Sequence, residues 1–162
     1  MNIVDHNVDG DPDEWAQELL ARPLFCFVGM QSIEGTDPRV SPLWFLWEDE
    51  SLWMLGDNEE SHTTRLRKTS RVAVAIVDFD AATGRLEHLG MRGSASFEPY
   101  DEHRALRLLR RYLGPDPSDW DSNLFTDPRQ GGHDRWTFIR ITPASVVLRD
   151  FSYEARDGGV HE

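Results

Sequence analysis

The stretch Arg39–Val77, RVSPLWFLWEDESLWMLGDNEESHTTRLRKTSRVAVAIV, decides how the chain is read. Arg39–Trp47 has the β-branched and aromatic content of a strand, and Glu48–Ser51 is a polar turn. Leu52–Leu55 forms a short second strand, ended by Gly56-Asp57-Asn58. Ser61–Lys68 has room for two helical turns, and Arg71–Asp78 is a strong strand. The segment between the strands, Ser61-His62-Thr63-Thr64-Arg65-Leu66-Arg67-Lys68-Thr69-Ser70-Arg71, collects hydroxyls and cations. The first N–H groups of a short helix have no intrahelical acceptor, so such a segment suits a phosphate. Arg65 and Arg39 are the arginines placed to add bidentate grip. On pattern alone, an exposed helix whose Arg67 and Lys68 suit its negative end explains these residues equally well.

Outward from this stretch the order is mostly strands. Residues 1–11 read as a loose acidic arm. Asp11-Pro12-Asp13-Glu14 opens a helix with Asp11 as N-cap; Trp15, Leu19 and Leu20 give its apolar stripe and Pro23 stops it. A lid over the end of a sheet or barrel is the plain reading. Leu24–Ile33 is a strand that pairs with Arg39–Trp47 as a hairpin across Glu34-Gly35-Thr36-Asp37-Pro38. Arg85–Phe97 follows Asp80–Gly84, and its Gly90 and Gly93 suggest a bend or a close backbone approach. Tyr100–Leu113 is an amphipathic helix with Ala105, Leu106, Leu109, Tyr112 and Leu113 on one face. Arg104, Arg107, Arg110 and Arg111 read as its solvated side. A short helix is expected around Trp120. Arg135–Ile141 is a strand that Pro143 breaks, and Val146–Phe151 resumes it. Residues 12–153 thus read as one domain, with 154–162 as a frayed tail. Hairpin-linked strands with few crossovers predict a mainly β fold, an antiparallel barrel with peripheral helices.

Composition narrows the function. The 162-residue chain is 39% hydrophobic, with six Trp and eight Phe, enough for a sizeable core. A formal net charge of −12 argues against nucleic acid, which demands a positive footprint. No apolar run approaches the roughly 20 residues of a membrane helix. The acidic start MNIVDHNVDGDPDEW lacks the features of a signal peptide, so the chain reads as cytoplasmic. Cys26, the single cysteine, sits in the apolar run LFCFVG and reads as a buried structural thiol. Phosphate-loop, dinucleotide, nucleophile-elbow and zinc-helix motifs are absent. The acids Asp116, Asp119 and Asp121 lack the spacing of a calcium loop, and the six histidines show no i, i+4 pair.

One resemblance takes the reading further. P-R-V-S-P-L-W-F, then L-W-M-L-G, then S-H-T-T-R-L-R-K-T-S-R-V-A-V resembles the flavin-binding split-barrel family typified by pyridoxamine 5′-phosphate oxidase. Gly90-Met91-Arg92-Gly93-Ser94-Ala95 is similar to its V-x-G-x-A strand, and Trp136–Pro143 to its closing strand. The likeness spans roughly residues 15–150. It implies a homodimer with FMN in a groove between subunits, acting as an oxidoreductase on a small-molecule substrate. It also implies cofactor contacts from Arg39, Ser41, Leu43 and Trp44 on the strand, Leu55, Gly56 and Asp57 at the ring edge, and Ser61, His62, Thr63 and Arg65 around the phosphate or ribityl chain. No residue is implied as a covalent nucleophile. Three positions depart from the pattern: His62 replaces a lysine, Arg65 an asparagine, and Ser70 a proline. F420 or haem therefore stay open beside FMN, as does a cofactor-carrying dimer without turnover. The family's substrate-binding Arg and His near the C-terminus are not recognisable, so the resemblance does not extend to the vitamin B6 reaction.

Overall fold

The computed structural model describes residues 1–33, 37–121 and 133–154. Seven strands form one antiparallel path: β2 (Cys26–Met30), β3 (Arg39–Leu43), β4 (Leu46–Glu48), β5 (Ser51–Asp57), β6 (Arg71–Asp80), β7 (Arg85–Pro99) and β8 (Trp136–Asp150). Their order in space is β3-β2-β6-β7-β8-β5-β4. A further strand, β1 (Ile3–His6), pairs with β8 in parallel, Ile3 opposite Val146. The N-terminal residues read as a loose arm thus include a sheet strand, anchored by main-chain bonds that an acidic composition does not reveal.

Three helices lie on the sheet: α1 (Pro12–Ala21), α2 (Ser61–Lys68) and α3 (Glu102–Leu113). Asp11 caps α1, accepting from the amides of Asp13 and Glu14. Leu19 and Leu20 are fully buried in the barrel core with Val28, Phe45, Met54, Ile76, Leu89 and Ile139. Each such side chain contributes about 1.5–3 kcal/mol of transfer free energy. Alternation places Val72, Val74 and Ile76 of β6 inward. β5 is buried on both faces. Leu52 and Met54 face the barrel, whereas Trp53 packs in a second cluster with Phe138 of β8 and Ala105 and Leu108 of α3.

Helix α3 buries Ala105, Leu108 and Leu109; Leu106 is only half-buried, and Leu108 joins the face in its place. Its arginines are anchors more than a solvated side. Arg104 and Arg107 converge on Glu48, with Arg107 bidentate at 2.8 Å from each nitrogen. The Arg104 guanidinium also lies 3.7 Å above the Trp53 ring. Arg111 donates to the carbonyl of Leu20 at 2.7 Å and to that of Arg22, fastening α3 to the end of α1.

Pro143 does not break β8. Arg92 pairs with Ser145 and Gly93 with Pro143, which leaves Ala144 as the extra residue of a bulge and puts Pro143 beside the point where the ladder is already interrupted. Gly93 makes the expected close approach: a Cβ there would stand 3.0 Å from the Pro143 Cα and against the Thr142 carbonyl. Arg39–Trp47 is two strands, β3 and β4, that turn apart at Trp44-Phe45. Near Trp120 the chain forms a 3-10 turn over Pro117–Asp119, capped by Asp116. The expected frayed tail, apart from Glu154, lies outside the described residues.

Candidate functional site

A cleft of about 610 Å³ opens where β3, β5, the start of α2, α3 and the start of β8 meet. Seven residues singled out from the sequence line it: Arg39, Ser41, Leu43, Trp44, Leu55, Asp57 and His62. Ser61 joins them at the rim, where its hydroxyl accepts a hydrogen bond from Arg39. Arg39 also donates through Nε to Ser41 Oγ at 3.3 Å. Strand and helix are thereby bridged by one guanidinium at the mouth of the cleft.

Three expected contacts lie elsewhere. Arg65 donates to the main-chain carbonyls of Asp37, at 2.9 Å, and Gln31, at 3.2 Å. It holds the β2–β3 connection and does not reach into the cleft. Thr63 is fully buried and faces Gly56; a Cβ at Gly56 would lie 2.9 Å from the Thr63 hydroxyl and from Ile139 Cδ1. Gly56 and Thr63 thus set how closely α2 approaches β5, without lining the cavity. The hydroxyls of α2 do not cap it either: Glu60 is the N-cap and its side chain makes no capping bond. Thr64 Oγ1 donates back to the Glu60 carbonyl at 2.8 Å.

Burial and charge shape the chemistry of the lining. The Asp57 carboxylate accepts the Glu59 amide at 2.9 Å, and Arg135 Nε and Nη2 at 2.7 Å each on a single oxygen. Burial pushes its carboxyl up, but the Glu59 amide and the Arg135 guanidinium outweigh this and hold it below the ordinary range. His62 is held below the usual histidine range, first by burial and further by Arg39, against the pull of Glu60 and Asp57. It is therefore neutral at pH 7, able to offer one donor and one acceptor. Among the described residues its Nε2 is buried without a partner, and so is Nε1 of Trp136, a second cleft residue. Two residues that line one cavity thus carry ring nitrogens whose hydrogen-bonding capacity is unused.

The opposite wall is aromatic. Trp44 stacks on Tyr112 with ring centroids 4.8 Å apart and planes 4° off parallel, and Phe25 leans on the same tyrosine at 6.4 Å. The Tyr112 hydroxyl donates to the Leu24 carbonyl at 2.6 Å and accepts from the Phe45 amide at 3.1 Å, which fixes the stack. Phe25, Pro42, Glu60, Leu108, Leu109, Arg135 and Trp136 escape the sequence reading as site residues. The polar residue nearest in sequence to a usable signal is Arg135, a cation at the start of a predicted strand. Nothing local shows that its partner stands 78 positions earlier.

Comparison with known proteins then fixes the architecture. Neither a protein-family model nor a curated protein sequence matches the chain. Solved structures do. A conserved hypothetical protein from Mycobacterium tuberculosis superposes over 98% of each chain, with a TM-score of 0.70 and 16% identity. An F420 reductase matches with a TM-score of 0.61 at 22% identity, over 80% of this chain and 94% of its own. A candidate pyridoxamine 5′-phosphate oxidase from Listeria innocua gives 0.60 at 19%, over 85% of this chain and 98% of its own. The fold is a split β-barrel. At these identities the likeness establishes the fold alone. No helix among the described residues is long and apolar enough to cross a membrane.

Proposed function

We propose that the cleft holds FMN and that the protein is a flavin-dependent oxidoreductase acting on a small molecule. The observation that carries this reading is a cavity with an arginine bridge on one wall and a stacked aromatic pair on the other, lined by His62 and Trp136, whose ring nitrogens Nε2 and Nε1 have no partner among the described residues. The residues suit an isoalloxazine nucleotide. Trp44 and Leu55 offer apolar surface to a flat ring, and Trp136 offers a donor to a ring heteroatom. Arg39, Ser41, Ser61 and His62 offer donors to a phosphate beside the uncapped N-terminus of α2. Asp57 is neutralised by Arg135, so its charge does not oppose that phosphate.

FMN would supply a ring able to accept and return a hydride; the side chains bind it, orient it and keep water from one face. F420 is the second reading, favoured by the F420 reductase among the structural neighbours and by the departure of His62 from a lysine. Haem has no support from the described residues beyond the neutral His62. A second copy is the natural cover for this site. Phe25, which lines the cleft, is 47% exposed, and Phe27 of β2 is 42% exposed. Pairing through this edge would bury them and close the cleft. We place the protein in the cytoplasm on its sequence.

Titration of the purified protein with FMN and with F420, followed by quenching of cofactor fluorescence, tests the reading. His62→Gln and Trp136→Phe should each weaken the preferred cofactor about tenfold, the scale of one lost hydrogen bond to a charged or buried group. A protein that quenches neither cofactor, or variants that bind as the parent does, would sink it.

A further inference from the structure

A second hollow, of about 900 Å³, lies on the outward face of the sheet across β3, β2, β6 and β7. Strand register explains it. Val40 is opposite Gly29, Gly29 opposite Ala73, and Ala73 opposite Arg92. The two central positions of that row carry almost no side chain, so a trough is left between Val40 and Arg92. In the next outward row Arg71 stands opposite Ser94. Arg71 and Arg92 are therefore diagonal neighbours on one face, their roots about 7–8 Å apart. Arg39 borders the same hollow, and Gln31, Ser32 and Ser94 add amide and hydroxyl groups.

The charges here are unusual for the molecule. Most other arginines have partners: Arg22 and Arg85 meet Asp78, Arg104 and Arg107 meet Glu48, Arg135 meets Asp57 and Arg149 meets Asp5, while Arg110 of α3 stands alone and exposed among the described residues. Arg71 and Arg92 are both exposed, and their side chains make no hydrogen bond or ion pair among the described residues. No carboxylate lines the hollow among the described residues. A chain with 29 acids against 17 Lys and Arg leaves two adjacent cations unneutralised beside a trough. Like charges at this spacing repel each other in the free protein, and an anion between them relieves that repulsion.

We infer that this trough is a second ligand site, which meets the cleft only at Arg39, for a small organic anion carrying two oxyanion groups. Arg71 and Arg92 each grip one group through a guanidinium fork, and the Gly29–Ala73 floor accepts the carbon or phosphorus skeleton between them. Phosphate and carboxylate offer the fork the same geometry, so the chemistry shared is a paired oxyanion.

Calorimetric titration with pyrophosphate and, separately, with citrate at low salt tests this on the whole protein. One or both should bind, and the tighter of the two identifies the group preferred. Arg71→Gln and Arg92→Gln should each weaken binding about tenfold, and the double variant about a hundredfold. Arg110→Gln, a change at an exposed arginine of α3, should leave it within twofold, as should His62→Gln in the cleft. Both trough positions are exposed, so the variants should keep the parent's unfolding temperature. The inference falls if neither anion binds, if the double variant binds as the parent does, or if His62→Gln removes the binding. It also falls if the double variant instead changes the sedimentation coefficient, which would make the trough a contact between copies.

Discussion

Replacing Arg135 with Met leaves the Asp57 carboxylate in place and removes its cation. Two donors at 2.7 Å on one carboxylate oxygen are lost, while the Glu59 amide at 2.9 Å remains. Hydrogen bonds to a charged group are worth roughly 1.5–3 kcal/mol. The Arg135 side chain is 42% exposed, so water takes over part of its role, and the net loss should be about 1–2 kcal/mol. For a chain of this length that lowers the unfolding midpoint by roughly 3–6 °C.

Because Asp57 is held below its ordinary value of 3.8, the stabilisation is present above that pH. It is lost as pH falls through the folded-state value and the carboxyl takes up a proton. Thermal unfolding of parent and variant followed by circular dichroism should therefore show a constant gap from pH 5 to pH 8, shrinking below pH 3.8. A variant with an unchanged midpoint at pH 7 would refute the reasoning. So would a gap that persists undiminished at the acid end, because it would trace the loss to packing on Trp136, 5.2 Å from the guanidinium, and not to charge.

Two further outcomes follow from backbone and burial. Gly93→Ala should destabilise by about 2–3 kcal/mol, since its Cβ meets main-chain atoms of β8 that cannot move aside. Gly90→Ala, whose Cβ would meet only side-chain atoms, Val147 Cγ2 at 3.2 Å and the His88 ring at 3.3 Å, should cost clearly less, and urea unfolding of the two variants checks the order. Cys26 is fully buried and its thiol is pushed up to about 12 by burial, so the folded protein should not react with an aromatic disulfide reagent at pH 8. One equivalent should react after unfolding; rapid reaction of the native protein would contradict the burial.

Much of the fold was legible because local chemistry and tertiary role agree. Asp11-Pro12 both starts a helix and occupies its cap, and the alternation of β6 matches a strand with one face in the core. The Ser61–Lys68 helix is where the sequence places it. Reading failed where a residue's part is set from a distance. Pro143 looks like a stop until Ala144 is seen to bulge opposite Gly93. Arg65 looks like a phosphate ligand until the β2–β3 carbonyls are found within its reach. Trp136 and Arg135 enter the cleft only because β8 lies beside β5, bringing Trp136 opposite Asp57. Residues 39–62 could therefore nominate half the lining, while Leu108 and Leu109 come from α3 and Arg135 and Trp136 from more than 70 positions beyond Asp57.

That strand, β8, has three neighbours: β1, β5 and β7. During synthesis every one of them leaves the ribosome before β8 does. Until it arrives, β4–β5 and the β3-β2-β6-β7 group are separate half-sheets, and the edges of β5 and β7 stand open to other chains. Closure requires contacts of very long sequence separation, which are slow to form. Both the barrel and the cleft are thus completed in one late event, and growth temperature or chaperone supply during that interval should govern the yield of folded protein more than its final stability does.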